Sequence, residues 1–337
     1  MTLPLPHQWQ LTAFGSENLH YVPATLPPLA PHQVLVRVEA VALNYRDLML
    51  IENHYGMAPM PPFTPGSDMA GTVLEVGSAV TRWRGGERVI STFVAGWLDG
   101  VAPPDTVSLG GRGPGMLATH VVMDAHWLVA APSTLTAAAA STLPCAALTA
   151  WTGLVENGRL HAGQTVLIHG TGGVALFGLQ IARLHGARVI VISGDADKRA
   201  QALALGANHV LDRASDWPAT VLTLTQGRGA DLVLETVGGV NLGRSLQALA
   251  MGGHVAFIGV LDGGELAGSG FDLIHKRAVI QSVNVGHRRA LEALVQAVDT
   301  NTLQPVIAAE YPANDLPAAF EHLARGAFGK VVLTFTH

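Results

Sequence analysis

Four adjacent polar residues, Asn44, Tyr45, Arg46 and Asp47, interrupt the apolar run ALNYRDLM at 42–49. An amide, a phenol, a guanidinium and a carboxylate in one block could orient a carbonyl, protonate an oxyanion or form an ion pair. Tyr45 is a candidate catalytic donor, because a phenol can donate to a developing oxyanion. Its side chain points to the opposite face if 41–47 continue as a strand. Arg46 in an apolar neighbourhood needs a carboxylate partner, for which Asp47 and Asp68 are the candidates, and structural pairing is its expected use. Tyr55 in ENHYG and Trp97 in GWLDG could stack on a flat substrate or simply pack in the core. Cys145 is the only cysteine; it is expected to line the substrate pocket as a small apolar group, since thiol chemistry would need a base that the sequence does not place.

A second group of residues has the chemistry of phosphate binding. In HGTGGVALFGLQIARLHG, Gly170, Gly172 and Ala175 follow the G-x-G-x-x-G/A pattern, with Gly173 and Val174 opening the helix that follows. An apolar strand runs into this loop, an amphipathic helix runs out, and a second strand follows about twenty residues later, which is the context a dinucleotide loop requires. The diphosphate must approach the backbone and the helix N-terminus closely, where a β-carbon would obstruct it. At the end of that second strand a carboxylate would accept from a ribose diol and repel a 2′-phosphate. Ser193 stands there, with Lys198 close behind, so the expected cofactor is NADPH, with NADP preferred over NAD. Asp195 and Asp197 weigh against this if either turns inward.

These groups need two kinds of scaffold. QVLVRVEAVAL (33–43) and GTVLEVG (71–77) alternate with valine enrichment between Pro and Gly turn signals, so the first ~130 residues read as β-rich. From VLIHG (166–170) onward, ARVIVIS (187–193), HVLD (209–212), DLVLETV (231–237), HVAFIGV (254–260) and AVIQSVN (278–284) are short apolar runs separated by helical patterns. Such strands with crossover helices imply a doubly wound, six-stranded parallel sheet. The predicted class is α/β: a β-rich domain of 1–131 and 285–337, the last part returning after a Rossmann domain of 132–284. The chain of 337 residues is 49% hydrophobic with a formal net charge of −5. Without a basic cluster, nucleic acid and anionic membrane surfaces are not expected partners. MTLPLPHQWQ lacks a basic-then-apolar leader and the apolar stretch 134–151 is broken by Pro144, so a cytoplasmic protein without a membrane span is expected.

The order of parts resembles the medium-chain dehydrogenase/reductase family. So do NYRDLM (44–49), PGSDMAGTVLEVG (65–77), GERV (86–89), LPCAALTAW (143–151), HGTGGVALFGLQIA (169–182), ALGA (204–207) and FGKVV (328–332). The similarity is greatest to the zinc-independent quinone oxidoreductase branch, and NYRD resembles the NFRD-type segment of enoyl reductase domains. The resemblance implies a GroES-like catalytic domain, Asn44 facing the nicotinamide, Thr149 at the nicotinamide end of the cofactor, Ile258 and Val260 presenting backbone groups to the nicotinamide ribose or ring, and Lys330 near the cofactor. It also implies a homodimer paired through AVIQSVN. Where zinc relatives carry their catalytic ligands, this chain has Asn44, Ser67 and Cys145, a poor tetrahedral set, and no cysteine-rich structural lobe, so no zinc is expected.

Without a Lewis acid a simple ketone is hard to polarise, whereas a conjugated acceptor accepts hydride at carbon while hydrogen-bond donors hold the developing enolate. The expected activity is hydride transfer from NADPH to a quinone or α,β-unsaturated carbonyl, with Tyr45 or water supplying the proton. The rival readings are an alcohol dehydrogenase or carbonyl reductase with an atypical metal site, and a non-catalytic NADPH-binding redox sensor.

Overall fold

A computed structural model describes residues 5–54 and 59–336. It divides into two compact units, one running to Leu148 and resuming at Val285, the other spanning Thr149–Asn284.

The first unit is built on a long strand, Gln33–Ala42, in which Val34, Val36, Val38 and Ala40 alternate into the core and are fully buried. Period-two burial of branched side chains is what a half-buried strand needs. It sits at the centre of a seven-stranded sheet whose path is Ile307–Pro312, Lys330–Thr334, Gln33–Ala42, Asp68–Val76, Arg88–Ser91 and Leu128–Ala130, with His120–Asp124 also paired to the long strand. The register at the end of this strand positions the chemistry. Ala42 faces Asp68 on one side and Val332 on the other, both antiparallel. Two residues further, the same register sets Asn44 beside Lys330, and the Leu43 N–H donates to the Val331 carbonyl at 2.9 Å.

The chain leaves the sheet at once. Tyr45–Ile51 is a helix, not a continued strand, and Asn44 is its N-cap residue. The Asp47 carboxylate accepts the Asn44 backbone N–H at 2.9 Å. A carboxylate three residues into a helix satisfies a donor that the first turn leaves unpaired.

The sequence boundary at 131/132 differs from the division at 148/149, because Ala138 packs with Ala40, Ala42 and Val332 of the first unit's sheet. Residues Ala137–Asn157 form one helical run, apolar and long enough by composition to cross a membrane, yet its most apolar window is 83% buried inside the protein. It contains wide π-type turns at Leu143–Ala147 and Thr152–Asn157. Pro144 lacks an N–H, and the next N–H, of Cys145, donates instead to the Asp68 carboxylate at 3.0 Å.

The second unit is a parallel six-stranded sheet in the spatial order His209–Asp212, Arg188–Ser193, Thr165–His169, Ala230–Glu235, Leu249–Phe257, Val279–Ser282. This is the 3-2-1-4-5-6 order of a Rossmann domain. Every residue of the central strand Thr165–His169 is buried, as expected for a parallel strand covered on both faces. The fifth strand begins at Leu249, earlier than the apolar run at 254 suggests, and ends at Phe257.

Candidate active site

In the second unit, the glycine loop joins the central strand to the helix Gly173–Leu184. Gly170 has φ +84°, a conformation that disfavours side chains. Gly172 is the helix N-cap, with no side-chain hydrogen bond to the first turn. A β-carbon on Gly172 would meet no atom within 4 Å. The space it would enter lies beside free N–H groups of a twelve-residue helix, which fits an anionic diphosphate. Gly178 has a different purpose, because a β-carbon there would stand 2.3 Å from the Leu234 side chain and hold the helix off the sheet. Val174 continues the first turn.

At the end of the second strand Ser193 is buried. Asp195 does not turn inward: it caps the next helix, its carboxylate accepting the Lys198 N–H at 3.0 Å. That hydrogen bond holds the Asp195 carboxyl below the usual carboxylate range. Arg199 donates to the Ser193 carbonyl at 2.7 Å and pairs with Asp212 at 3.1 Å. Arg213, which the sequence did not single out because it follows a different strand, comes alongside: a β-carbon on Gly194 would lie 3.5 Å from its guanidinium. Ser193 and Arg213 thus bring a hydroxyl and a guanidinium to this strand end, and Lys198 lies in the helix that follows.

Glu235 is the other residue the sequence reading passed over, a carboxylate at the end of an apolar strand and fully buried. It accepts from the Val237 and Gly238 N–H groups, the Asn241 amide and Ser245 Oγ, and lies 3.6 Å from His169 Nε2. Thr236 Oγ1 donates to the His169 carbonyl at 2.9 Å. Glu235 thereby ties together the strand ends that flank the glycine loop. Desolvation pushes the His169 imidazole down despite the neighbouring carboxylate, and Arg244 adds to that. The Ile258 N–H donates to the Glu235 carbonyl at 2.8 Å; Val260 is exposed and Thr149 buried.

In the first unit, Asn44 is 7% exposed and Lys330 3%. Lys330 Nζ donates to Asn44 Oδ1 and to the Leu43 carbonyl, both at 2.6 Å. Asn44 Nδ2 lies 3.4 Å from Ser67 Oγ, which donates to Asp68 Oδ1 at 2.6 Å. Asp68 is fully buried, and desolvation pushes its carboxyl up against the opposing pull of Lys330, Ser67 and Asn44. Burial and the Asp68 charge likewise push the Cys145 thiol well above the usual thiol range, which argues against a thiolate.

Of the two partners considered for Arg46, the structure gives Asp47, at 3.2 Å. Arg46 also donates to the Leu109 carbonyl at 2.6 Å and lies 4.8 Å from the Phe93 ring centroid. Tyr45, at the head of the helix, is 51% exposed. Trp97 stands apart from this network: its indole donates to the Gly100 carbonyl at 2.9 Å and meets the His287 ring edge-on at 5.8 Å. Tyr55 lies outside the described residues.

A zinc ion finds a poor donor set here. Asn44 Oδ1 already faces an ammonium and Ser67 is a hydroxyl, so Cys145 is the one side chain of the three that belongs to the usual zinc-ligand types. Among the described residues no group of three or more His, Cys, Asp or Glu side chains could hold a metal.

Comparison with known proteins matches residues 30–133 to the family described as "Alcohol dehydrogenase GroES-like domain" and residues 173–300 to that described as "Zinc-binding dehydrogenase". A zinc-type alcohol dehydrogenase-like protein of Schizosaccharomyces pombe is 35% identical over 317 residues, 90% of this chain and 91% of the relative. The quinone oxidoreductase of Lama guanicoe is 30% identical over 312 residues, 90% and 88% of the two chains. A solved Sinorhizobium meliloti structure named as an alcohol dehydrogenase is 49% identical, with a TM-score of 0.96 over 99% of this chain and 100% of that one.

Proposed function

Because this chain belongs to the medium-chain dehydrogenase/reductase family of NAD(P)-dependent oxidoreductases, we propose that it passes hydride from NADPH to a quinone or α,β-unsaturated carbonyl without zinc. The observation that carries the reading is the Asn44 amide, whose oxygen is held by Lys330 where a zinc-dependent relative would need a metal ligand. NADPH supplies hydride when bound. The chain's own residues then have two tasks. The glycine loop and the helix from Gly173 hold the diphosphate, with Ser193, Lys198 and Arg213 around the 2′-phosphate. Asn44 donates a hydrogen bond to the acceptor's oxygen as negative charge develops there, and Tyr45 or water returns a proton. Cys145 contributes bulk, not nucleophilicity. Thr149, Ile258 and Val260 are assigned to the nicotinamide end.

The test is steady-state NADPH oxidation by purified protein against quinones and enones, with zinc measured on the same sample. Turnover without stoichiometric zinc supports the reading; turnover only of alcohols or simple ketones with bound zinc overturns it. A second reading, an alcohol dehydrogenase with an unusual metal site, is favoured by the name of the fission-yeast relative, and the same measurement separates the two.

A homodimer is also proposed. The strand Val279–Ser282 ends the sheet with all four residues exposed, and Phe271 and Ile274 beside it in sequence are exposed as well. An apolar edge strand of this kind calls for a partner.

A further inference from the structure

An amide side chain can be turned either way without changing its shape, so something must decide which end Asn44 offers to a ligand. Here charge decides. Lys330 Nζ, an ammonium with three donors and no acceptor, stands 2.6 Å from one end of that amide, which must be the oxygen. The ammonium is itself held, donating to the Leu43 carbonyl at 2.6 Å from within the sheet whose register pairs Leu43 with Val331. On the other side, Ser67 has turned its hydroxyl hydrogen onto Asp68, so its oxygen faces Asn44 Nδ2 as an acceptor. Hydrogen bonds therefore run in one direction, from Lys330 into the amide oxygen and from the amide nitrogen to Ser67 and on to Asp68. Withdrawal of electron density through the oxygen makes the Nδ2 hydrogens stronger donors.

We propose that Lys330 is a positioning residue that locks the Asn44 amide as a hydrogen-bond donor only, so that the site favours acceptors whose oxygen gains negative charge and disfavours alcohols whose hydroxyl hydrogen needs an acceptor. The inference rests on the reductive reading above and deepens it. It gives the buried lysine a use beyond its electrostatic pull on Asp68: its two hydrogen-bond contacts are both neutral oxygens, the Asn44 amide and the Leu43 carbonyl.

The test combines a readout on the apoprotein with one on turnover. In protein labelled with ¹⁵N-asparagine, the Asn44 side-chain NH₂ pair is identified by its disappearance in Asn44→Asp. The lock predicts that Lys330→Met moves this pair and speeds its hydrogen exchange by about tenfold or more, whereas Lys330→Arg leaves it nearer the wild-type position. Unchanged Asn44 signals in Lys330→Met overturn the proposal, whatever the substrate. On turnover, Asn44→Ala is expected to lower kcat by on the order of 10²-fold and Lys330→Met by about tenfold with KM nearly unchanged. The double variant should be no slower than Asn44→Ala alone, since Lys330 acts through Asn44; fully additive losses overturn it. If Lys330→Met does not fold, Lys330→Gln takes its place. Should the wild type reduce no quinone or enone, the reductive reading fails and the NMR result decides the lock by itself.

Discussion

At the scale of single residues, the NYRD block divides into two functions that its spacing alone does not separate. Asn44 faces a buried ammonium and a hydroxyl, while Arg46 and Asp47 hold each other, the Leu109 carbonyl and the helix start. Removing Asp47 leaves the Arg46 guanidinium uncompensated in a largely buried position. Asp47→Ala is therefore expected to lower unfolding free energy by about 3–5 kcal/mol, measured by urea denaturation; a loss below 1 kcal/mol would contradict the pairing. Arg213 and Lys198 give a residue-level test of cofactor choice. Arg213→Ala should raise the KM for NADPH by roughly 10-fold or more and leave NADH nearly unaffected, since the loss is that of a charge-assisted phosphate contact. Equal effects on both dinucleotides would remove Arg213 from that role. Ser193 and Lys198 are readable as candidates because they follow one strand closely, whereas Arg213 is not, because proximity across neighbouring parallel strands is not written in spacing.

At the scale of elements, the glycine loop and the strand ends behind it act as one piece. Gly172 tests the loop cleanly, because a β-carbon there meets no protein atom within 4 Å. Gly172→Val should keep its melting temperature within a few degrees while losing about 100-fold or more in NADPH affinity, read by fluorescence titration. Retained affinity would move the diphosphate elsewhere. Behind the loop, His169 carries a pH dependence. Because burial lowers the folded His169 pKa, folded and unfolded chains are both neutral there above pH ~6.5. Below that value the unfolded chain takes up a proton that the folded chain refuses. Stability then falls as pH drops through the unfolded value toward the folded one, by up to ~1.4 kcal/mol per pH unit. His254 is lowered too, so the contribution of His169 is the difference between wild type and His169→Gln in melting curves from pH 8 to 5; identical slopes would refute it. The periodic signals made most of these elements readable: five of the six Rossmann strands begin within a residue of their apolar runs. The early start of Leu249–Phe257 was concealed by the glycines of LAMGG, and the helix Tyr45–Ile51 by the polar block that caps it.

At the scale of the whole molecule, the sequence carried the class, a GroES-like β-rich part with a six-stranded parallel sheet, while the spatial order of the strands came from the structure. Nor did the sequence carry the cross-strand register that seats Lys330 beside Asn44 across 286 residues of chain. The proposed dimer belongs to this scale. Ile280→Lys on the exposed edge strand should shift sedimentation from dimer to monomer, and a wild type that sediments as a monomer would contradict the assignment. The central claim, that a donor amide backed by a buried ammonium replaces a metal, is tested most directly by one measurement: NADPH-dependent reduction of quinones and enones by metal-analysed enzyme, before and after exhaustive chelation. The account predicts undiminished turnover with zinc far below one ion per chain; activity that disappears on chelation and returns with zinc would contradict it.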